Sequence, residues 1–200
     1  MSNQSGKYMY MPKRVFIIHG WGGNPEEGWF PWLKSKLEEK GFVVSVPEMP
    51  DTENPRIEPW VNYLEEIVGE VDEQTFFVGH SIGCQTIMRF LETLPEGKRV
   101  GGAVFVAGWF HLMGLGEEEL PIAEPWLSTP IDCKKVLSHM NAPKAIFSDN
   151  DDVVPVSEKE IFENKLQAEC VMLHGRGHFS GSDGVFELPE VLDAVFHLVK

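Results

Sequence analysis

The chain has 200 residues, of which 42% are hydrophobic and 24% are charged, a composition typical of a soluble globular protein with one substantial core. Its formal net charge of −14 repels phosphate backbones and anionic lipids, so we expect neither nucleic acid nor a membrane as the main partner. The 3 cysteines are too few for a disulfide framework or a zinc site and favour a reducing, cytoplasmic location. The N-terminus has no apolar signal-peptide segment, and no run is long enough to span a bilayer.

The first part of the chain predicts a unit of strand, helix and strand. After a loose arm over residues 1–12, residues 14–18 form a continuous apolar run, typical of a parallel strand buried on both faces. Apolar residues at helical spacing between 30 and 37 predict a helix that ends near Gly41, and residues 42–46 predict the next strand. Strands joined in this way by a helix run parallel.

The same alternation continues to the C-terminus. Apolar positions between residues 60 and 71 predict a helix, Ser157 to Glu160 have the pattern of a capping box that opens another, and a last helix begins after Pro189. The remaining predicted strands are residues 76–78, 103–106, 145–147 and 170–173. We therefore predict an α/β fold in one domain over residues 1–200, with a mostly parallel central sheet of about six strands and helices on both faces.

Residues 108–140 interrupt the alternation. The segment is rich in tryptophan, leucine, proline and acidic residues, and it follows the end of a predicted strand. Because ligands bind at the carboxyl ends of the strands in open α/β sheets, the segment is a possible small cap over a pocket. A surface excursion that only covers the core is the alternative.

The strongest chemical signal is the pentapeptide from Gly79 to Gly83, Gly-His-Ser-Ile-Gly, between an apolar run and an amphipathic helix. A strand, a sharp turn and a helix are what a nucleophilic serine requires, since the turn holds Ser81 in a strained conformation with its hydroxyl outward. The glycines fit because a side chain at either position would collide with the adjoining strand and helix. A glycine-rich turn with an incidental serine is the alternative.

A serine hydroxyl attacks a carbonyl when a base takes its proton and a carboxylate orients that base. Candidate carboxylates follow the predicted strand at residues 145–147, and candidate bases follow the strand at residues 170–173. The order of serine, acid and histidine along the chain is that of one hydrolase architecture. The candidates are Asp149, Asp151 and Asp152 for the acid, and His174 and His178 for the base.

Other readings of the histidines are weaker. His174 and His178 are four residues apart, but glycines between them break any helix, which disfavours a zinc site. His19 and His80 are expected to shape the site rather than act as bases. No phosphate-binding loop or dinucleotide fingerprint follows a strand, so we predict neither a metal nor a cofactor.

The chain resembles the α/β-hydrolases, and more narrowly the small single-domain serine hydrolases of the retinoblastoma-binding-protein type and their YdeN-type bacterial relatives. The resemblance is least clear over residues 108–140, so it implies fold and reaction type better than substrate. It rests on motifs that span nearly the whole chain: His19-Gly20-Trp21-Gly22, Met49-Pro50 with Trp60, Gly-His-Ser-Ile-Gly-Cys at 79–84, Asp-x-x-Val-Pro at 151–155, and Gly-His-Phe at 177–179.

Carried over by position, the resemblance implies that Ser81 is the nucleophile and that His178 is the general base and then acid. It implies Asp151 as the orienting carboxylate, because the family's acid lies four residues before a loop-ending proline; Asp149 and Asp152 are then solvated loop residues. The oxyanion hole is expected to comprise the backbone N–H groups of Ile82 and Trp21, each typically worth ~3 kcal/mol of barrier.

The expected function is cofactor-independent hydrolysis of a small carboxylic ester through an acyl-enzyme. Peptidase or thioesterase action on the same triad is one alternative. A non-catalytic, protein-binding module with a hydrolase fold is another, although an intact triad argues against it. Aromatic residues are expected to wall the pocket, with Trp109 and Phe110 as substrate contacts, or equally to be core; they are Trp21, Trp29, Phe30, Trp109 and Phe110.

Overall fold

The sheet expected from the apolar runs is present in the computed structural model, which describes residues 12–141 and 143–200. Most of the loose arm expected over residues 1–12 lies outside the described residues. All paired strands run parallel. The strands are β1 (Arg14–Ile18), β2 (Val43–Ser45), β3 (Thr75–His80), β4 (Gly102–Val106), β5 (Lys144–Ser148) and β6 (Glu169–Leu173).

Along the chain the helices alternate with these strands, as the sequence pattern predicts, except that two helices lie between β4 and β5; a last helix follows β6. Helices α1 and α7 contact each other, while α2, α3, α5 and α6 form a second connected group, so the sheet is covered on both faces. The α/β fold class is thereby confirmed. The helices are α1 (Phe30–Glu38), α2 (Ile57–Val68), α3 (Ile82–Thr93), α4 (Leu120–Ser128), α5 (Cys133–Ser138), α6 (Glu158–Leu166) and α7 (Pro189–Leu198).

The strand order explains where a site can form. The order β2-β1-β3-β4-β5-β6 means that the chain moves outward from β1 to β2 and then returns past β1 to build the rest of the sheet. The connections after β1 and β3 therefore leave in opposite directions, and a crevice opens at the carboxyl ends of these two strands. The loop that begins at His19 and the turn at Ser81 both lie at this edge.

Burial follows the apolar runs closely. Every residue of β3 and β4 is buried, because these strands are central and covered on both faces. Helix α3 was predicted to bury one apolar face, but all residues from Ile82 to Leu91 are buried. Helices α2 and α5 pack against it and cover the face that the sequence pattern leaves open.

The capping box predicted at Ser157 to Glu160 is wrong in its contacts, although α6 begins at Glu158 as expected. Ser157 is in helical conformation (φ −66°, ψ −18°) and its side chain makes no capping hydrogen bond. The N–H of Glu158 binds the carbonyl of Pro155 at 2.9 Å instead. Within the described ranges, no helix has both the length and the apolar character needed to cross a membrane.

Candidate active site

Ser81 occupies the turn between β3 and α3 in a backbone conformation that is rare for a residue with a side chain. Its φ is 52° and its ψ is −121°, and such strained conformations cost about 1–3 kcal/mol and concentrate at functional sites. The Ser81 N–H is bound to the carbonyl of Val106 at 2.9 Å, which ties the turn to the neighbouring strand β4.

The two glycines that flank this turn are required by close packing. A Cβ on Gly83 would lie 2.3 Å from the carbonyl oxygen of Ile18, at the end of β1, and one on Gly79 would lie 2.8 Å from the backbone nitrogen of Cys84. Both separations are far inside van der Waals contact. The predicted reason for both glycines, a close approach of helix and strands, is confirmed.

Asp151 and His178 lie on the loops after β5 and β6 and are joined by a hydrogen bond. His178 Nδ1 is 2.9 Å from Asp151 Oδ2, while Asp151 Oδ1 accepts the N–H groups of Val153 at 2.8 Å and Val154 at 2.9 Å. The Asp151 side chain is only 2% exposed. Because a carboxylate accepts and does not donate, His178 Nδ1 carries the proton of this hydrogen bond.

The other two candidate carboxylates lie elsewhere. Asp149 binds His174 Nδ1 at 2.5 Å and the Gly175 N–H at 2.9 Å, and Asp152 is exposed. The Gly175 N–H and then the His174 ring lower the pKa of Asp149, and Asp149 in turn raises the pKa of His174. The His174 side chain is 95% exposed, so this second pair lies at the surface.

The two histidines first considered as a metal pair therefore bind different carboxylates. Among residues 12–141 and 143–200, no group of three or more His, Cys, Asp or Glu side chains is arranged to hold a metal ion.

A cleft of about 390 Å³ opens at the carboxyl edge of the sheet, and both Ser81 and His178 line it. This is within the size range of small-molecule sites. No hydrogen bond joins Ser81 Oγ to the His178 ring in the described part of the chain; in hydrolases this contact often tightens only when substrate binds. The lining includes apolar residues, glycines and acids: Trp109, Leu112, Met113, Leu115, Val153, Gly20, Gly22, Gly23, Glu27, Glu53 and Glu119.

The two predicted oxyanion donors also line this cleft. In the loop after β1, the Gly22 N–H donates to the carbonyl of Thr52 at 2.8 Å and the Gly23 N–H donates to the carbonyl of Gly20 at 3.2 Å. The backbone N–H of Trp21 makes no hydrogen bond within the described residues. The same holds for the N–H of Ile82, the first residue of α3. Both donors are available to a ligand, and the helix dipole of α3 adds positive potential at Ile82.

The aromatic residues divide between cleft and core. Trp109 lines the cleft, as expected, but Phe110 does not. The Phe110 ring packs on Phe162 and under the Lys165 ammonium, 4.5 Å from the ring centre, because its backbone is held by Glu158. Trp29 and Phe30 are buried, do not line the cleft, and belong to the core.

The 108–140 segment both lines the pocket and covers the core, the two alternatives considered for it. Its first part lines the cleft with Trp109 and Leu112, and its helices bury Trp126 and Val136 in the core. Glu158, which is fully buried, holds the segment by accepting the N–H groups of Phe110 at 2.7 Å and His111 at 3.1 Å. No local sequence pattern predicts these two hydrogen bonds, because each joins residues that are 48 or 47 positions apart in the chain.

Sequence reasoning also missed how the loop of His178 is held. Asp183 accepts the Ser180 N–H at 3.0 Å and the Ser180 hydroxyl at 2.7 Å. Partial burial raises the pKa of Asp183, but its hydrogen bonds with Ser180 and the His178 backbone outweigh this and lower it. A Cβ on Gly177 would lie 2.2 Å from Asp183 Oδ1, and the φ of 55° at this position favours glycine.

His19 and His80 are each held by hydrogen bonds to the backbone, which agrees with the expectation that they shape the site. His19 Nε2 accepts the Met49 N–H at 3.1 Å and Nδ1 lies 2.8 Å from the Gly20 carbonyl, so the ring is neutral with its proton on Nδ1. Burial lowers the pKa of His19.

The parallel sheet, its strand order and the strained serine turn together define an α/β hydrolase.

Comparison with known proteins narrows this class. The chain belongs to the serine hydrolase family, whose model matches residues 15–197. It is similar to YdeN of Bacillus subtilis (strain 168), with 31% identity over 185 residues that cover 92% of this chain and 95% of the relative. It is also similar to the serine hydrolase RBBP9 of Rattus norvegicus, with 29% identity over 180 residues, covering 88% and 91% of the two chains.

Solved structures agree with this placement. The crystal structure of the ydeN gene product of B. subtilis superimposes with a TM-score of 0.86 at 30% identity, covering 94% of this chain and 98% of that one. Est1E of Butyrivibrio proteoclasticus has a TM-score of 0.71 at 16% identity over 94% and 87% of the chains, which shows a shared fold. The predicted resemblance to the YdeN and retinoblastoma-binding-protein type is confirmed.

Proposed function

We propose that this hydrolase cleaves small carboxylic esters through a Ser81–His178–Asp151 triad. The observation that carries the proposal is the Asp151 carboxylate, which is buried, holds two backbone N–H groups with one oxygen and directs the other to His178 at 2.9 Å. A buried carboxylate that fixes one tautomer of a histidine beside a strained serine is what nucleophilic catalysis requires.

In the proposed reaction, Ser81 Oγ attacks the ester carbonyl while His178 Nε2 takes the hydroxyl proton. The carbonyl oxygen becomes an oxyanion that accepts the N–H groups of Ile82 and Trp21. The C–O bond to the alcohol then breaks, and the alcohol leaves with the proton from His178. Water, deprotonated by His178, attacks the acyl-enzyme and releases the acid and free Ser81.

Two features of the cleft favour a small, uncharged ester. Its volume of about 390 Å³ fits a compact substrate, and its apolar lining residues, among them Trp109, Leu112 and Met113, suit an apolar acyl group. The three charged carboxylates Glu27, Glu53 and Glu119 on the lining disfavour a negatively charged one. A small-molecule ester is accordingly the proposed partner, and no nucleic acid or membrane is part of the proposal.

The test is labelling with a fluorophosphonate together with hydrolysis of a panel of esters, thioesters and aminoacyl amides of graded acyl length. Ser81→Ala should lose labelling and at least about 10³-fold in kcat. Ser157→Ala is the matched control, since that serine is exposed and its side chain makes no capping bond. Short-chain esters should be the best substrates.

Two results would contradict the proposal. A folded parent protein that stays unlabelled and inactive on the whole panel favours the protein-binding alternative. A parent that prefers thioesters or aminoacyl amides by more than tenfold moves the reaction to a thioesterase or a peptidase.

A further inference from the structure

Two buried side chains donate hydrogen bonds to the backbone of the segment that carries His178. His80 Nε2 lies 2.7 Å from the carbonyl oxygen of His178, and Trp29 Nε1 lies 3.0 Å from the carbonyl oxygen of Phe179. Two consecutive carbonyls are therefore held by side chains from separate parts of the chain, one at the end of β3 and the other just before α1.

Both hydrogen bonds have a fixed direction. A carbonyl oxygen only accepts, so His80 donates from Nε2 and its neutral ring leaves Nδ1 without a proton; the Trp29 indole only donates. Burial, and then the nearby His178, lower the pKa of His80 to about 3. His80 is therefore neutral near pH 7, and its bond to the His178 carbonyl does not depend on pH there.

The segment that these donors hold is in an unfavourable backbone conformation. Gly177 has a φ of 55° and Phe179 a φ of 58°, and Phe179 has a side chain, for which this region is costly. The Phe179 ring is 1% exposed. Such conformations persist only where surrounding contacts hold them, and the two carbonyl bonds are contacts of this kind.

The donors also pack against each other and against the catalytic ring. The His80 and Trp29 rings meet edge to face with centres 6.2 Å apart, and the His80 and His178 ring centres are 5.0 Å apart. A shift of the His178 backbone would change the position of the imidazole relative to both Asp151 and the cleft.

We propose that His80 and Trp29 are positioning residues that hold the His178–Phe179 backbone so that the His178 imidazole stays aligned between Asp151 and Ser81. The inference rests on the proposed triad. It assigns to the residue before the nucleophile a second task besides forming the turn: the same strand end that presents Ser81 also sets the place of its base.

The test compares variants that keep or remove each donor. His80→Leu removes the donor, His80→Gln keeps an N–H group at a similar reach, and Trp29→Phe removes the indole N–H while keeping an aromatic ring. The matched controls lose an equivalent buried bond elsewhere: His139 lies 2.7 Å from the Lys98 carbonyl and Trp126 lies 2.9 Å from the Pro55 carbonyl. These controls are His139→Leu and Trp126→Phe.

We expect His80→Leu and Trp29→Phe to lower kcat on a short-chain ester about 10- to 100-fold with KM within about threefold, since misalignment of a reacting group costs rate rather than binding. His80→Gln should recover most of the lost kcat. His139→Leu and Trp126→Phe should lower the thermal unfolding midpoint but leave kcat within about twofold. If His80→Leu does not fold, Trp29→Phe carries the comparison.

A readout that needs no turnover separates this proposal from the triad itself. The Nδ1 proton of His178, assigned with His178→Gln, should give a downfield proton resonance in the parent and in His80→Gln and should broaden or vanish in His80→Leu and Trp29→Phe. An unchanged resonance in folded His80→Leu, or equal kcat losses in His80→Gln and His80→Leu, would overturn the positioning role. A parent without Ser81-dependent hydrolysis would instead overturn the proposed function.

Discussion

The His178 imidazole meets the Asp151 carboxylate at 2.9 Å, although Asp149, two residues earlier, is bound to a different histidine. The two acids differ in burial: the side chain of Asp151 is 2% exposed and that of Asp149 is 39% exposed. A carboxylate held in a dry environment by backbone N–H groups interacts more strongly with its histidine than one in water does. Two neighbouring acids thus have separate histidine partners.

This difference predicts opposite outcomes for a matched pair of substitutions. Asp151→Asn should lower kcat roughly 10³- to 10⁴-fold, because the amide no longer holds the imidazole in the tautomer that leaves Nε2 free. Asp149→Asn should change kcat less than about threefold. Steady-state kinetics on a short-chain ester would measure both, and equal losses in the two variants would reject Asp151 as the acid of the triad.

The buried neutral histidine predicts how stability depends on pH. Since burial lowers the pKa of His80 to about 3, the unfolded chain binds a proton between pH 6.5 and 3 that the folded state does not. The free energy of unfolding should fall as pH drops through 6.5, by about 1.4 kcal/mol per pH unit well below it. His19, whose pKa burial also lowers, acts in the same direction.

Urea unfolding of the parent and of His80→Gln at pH 6.5 and pH 5 would measure this effect. The parent should lose about 1.5 kcal/mol more than the variant between these two conditions. Equal losses would mean that His80 is protonated in the folded state.

Close packing at the serine turn predicts that adding a single methyl group at Gly83 strongly lowers the stability of the fold. In Gly83→Ala the new carbon would lie 2.3 Å from the Ile18 carbonyl oxygen, and neither backbone can move without separating α3 from β1. We expect a loss of at least about 3 kcal/mol in the free energy of unfolding. Gly97→Ala is the control: its φ is 83° but nothing lies within 4 Å of the added carbon, so only about 1–2 kcal/mol of backbone strain is expected. Comparable losses in the two variants would contradict the close approach.

The acidic residues on the cleft lining predict a substrate preference that kinetics can measure. Glu27 and Glu53 line the cleft and should repel esters that carry a carboxylate, an effect that salt weakens. Glu27→Gln and Glu53→Gln should each raise kcat/KM for such an ester roughly three- to tenfold at low salt while changing a neutral ester little. Glu66→Gln changes the net charge equally but lies outside the cleft lining, and it should have no such selectivity. Equal effects on charged and neutral esters would remove the electrostatic explanation.

The element order and the fold class could be read from the sequence because they depend on local patterns. Strand β1 begins and ends where its apolar run does, at Arg14 and Ile18, and the ends of the other strands lie within two residues of the predicted ones. A run of apolar residues can be buried on both faces in few ways, so its length and flanks largely determine the element. The Gly-x-Ser-x-Gly turn was readable because the pentapeptide lies between an apolar run and an amphipathic helix, although the contacts that require Gly83 come from β1.

The tertiary structure alone decided contacts between side chains that are distant in the chain. The residues by themselves left three aspartates open as the acid and left Phe110 open between the substrate pocket and the core, whereas the fold directs Asp151 to His178 and turns Phe110 onto Phe162. The bonds from His80 and Trp29 span 98 and 150 positions and have no local signature. A loop side chain takes the orientation that satisfies its buried partners, and those partners are brought together only when the sheet has formed.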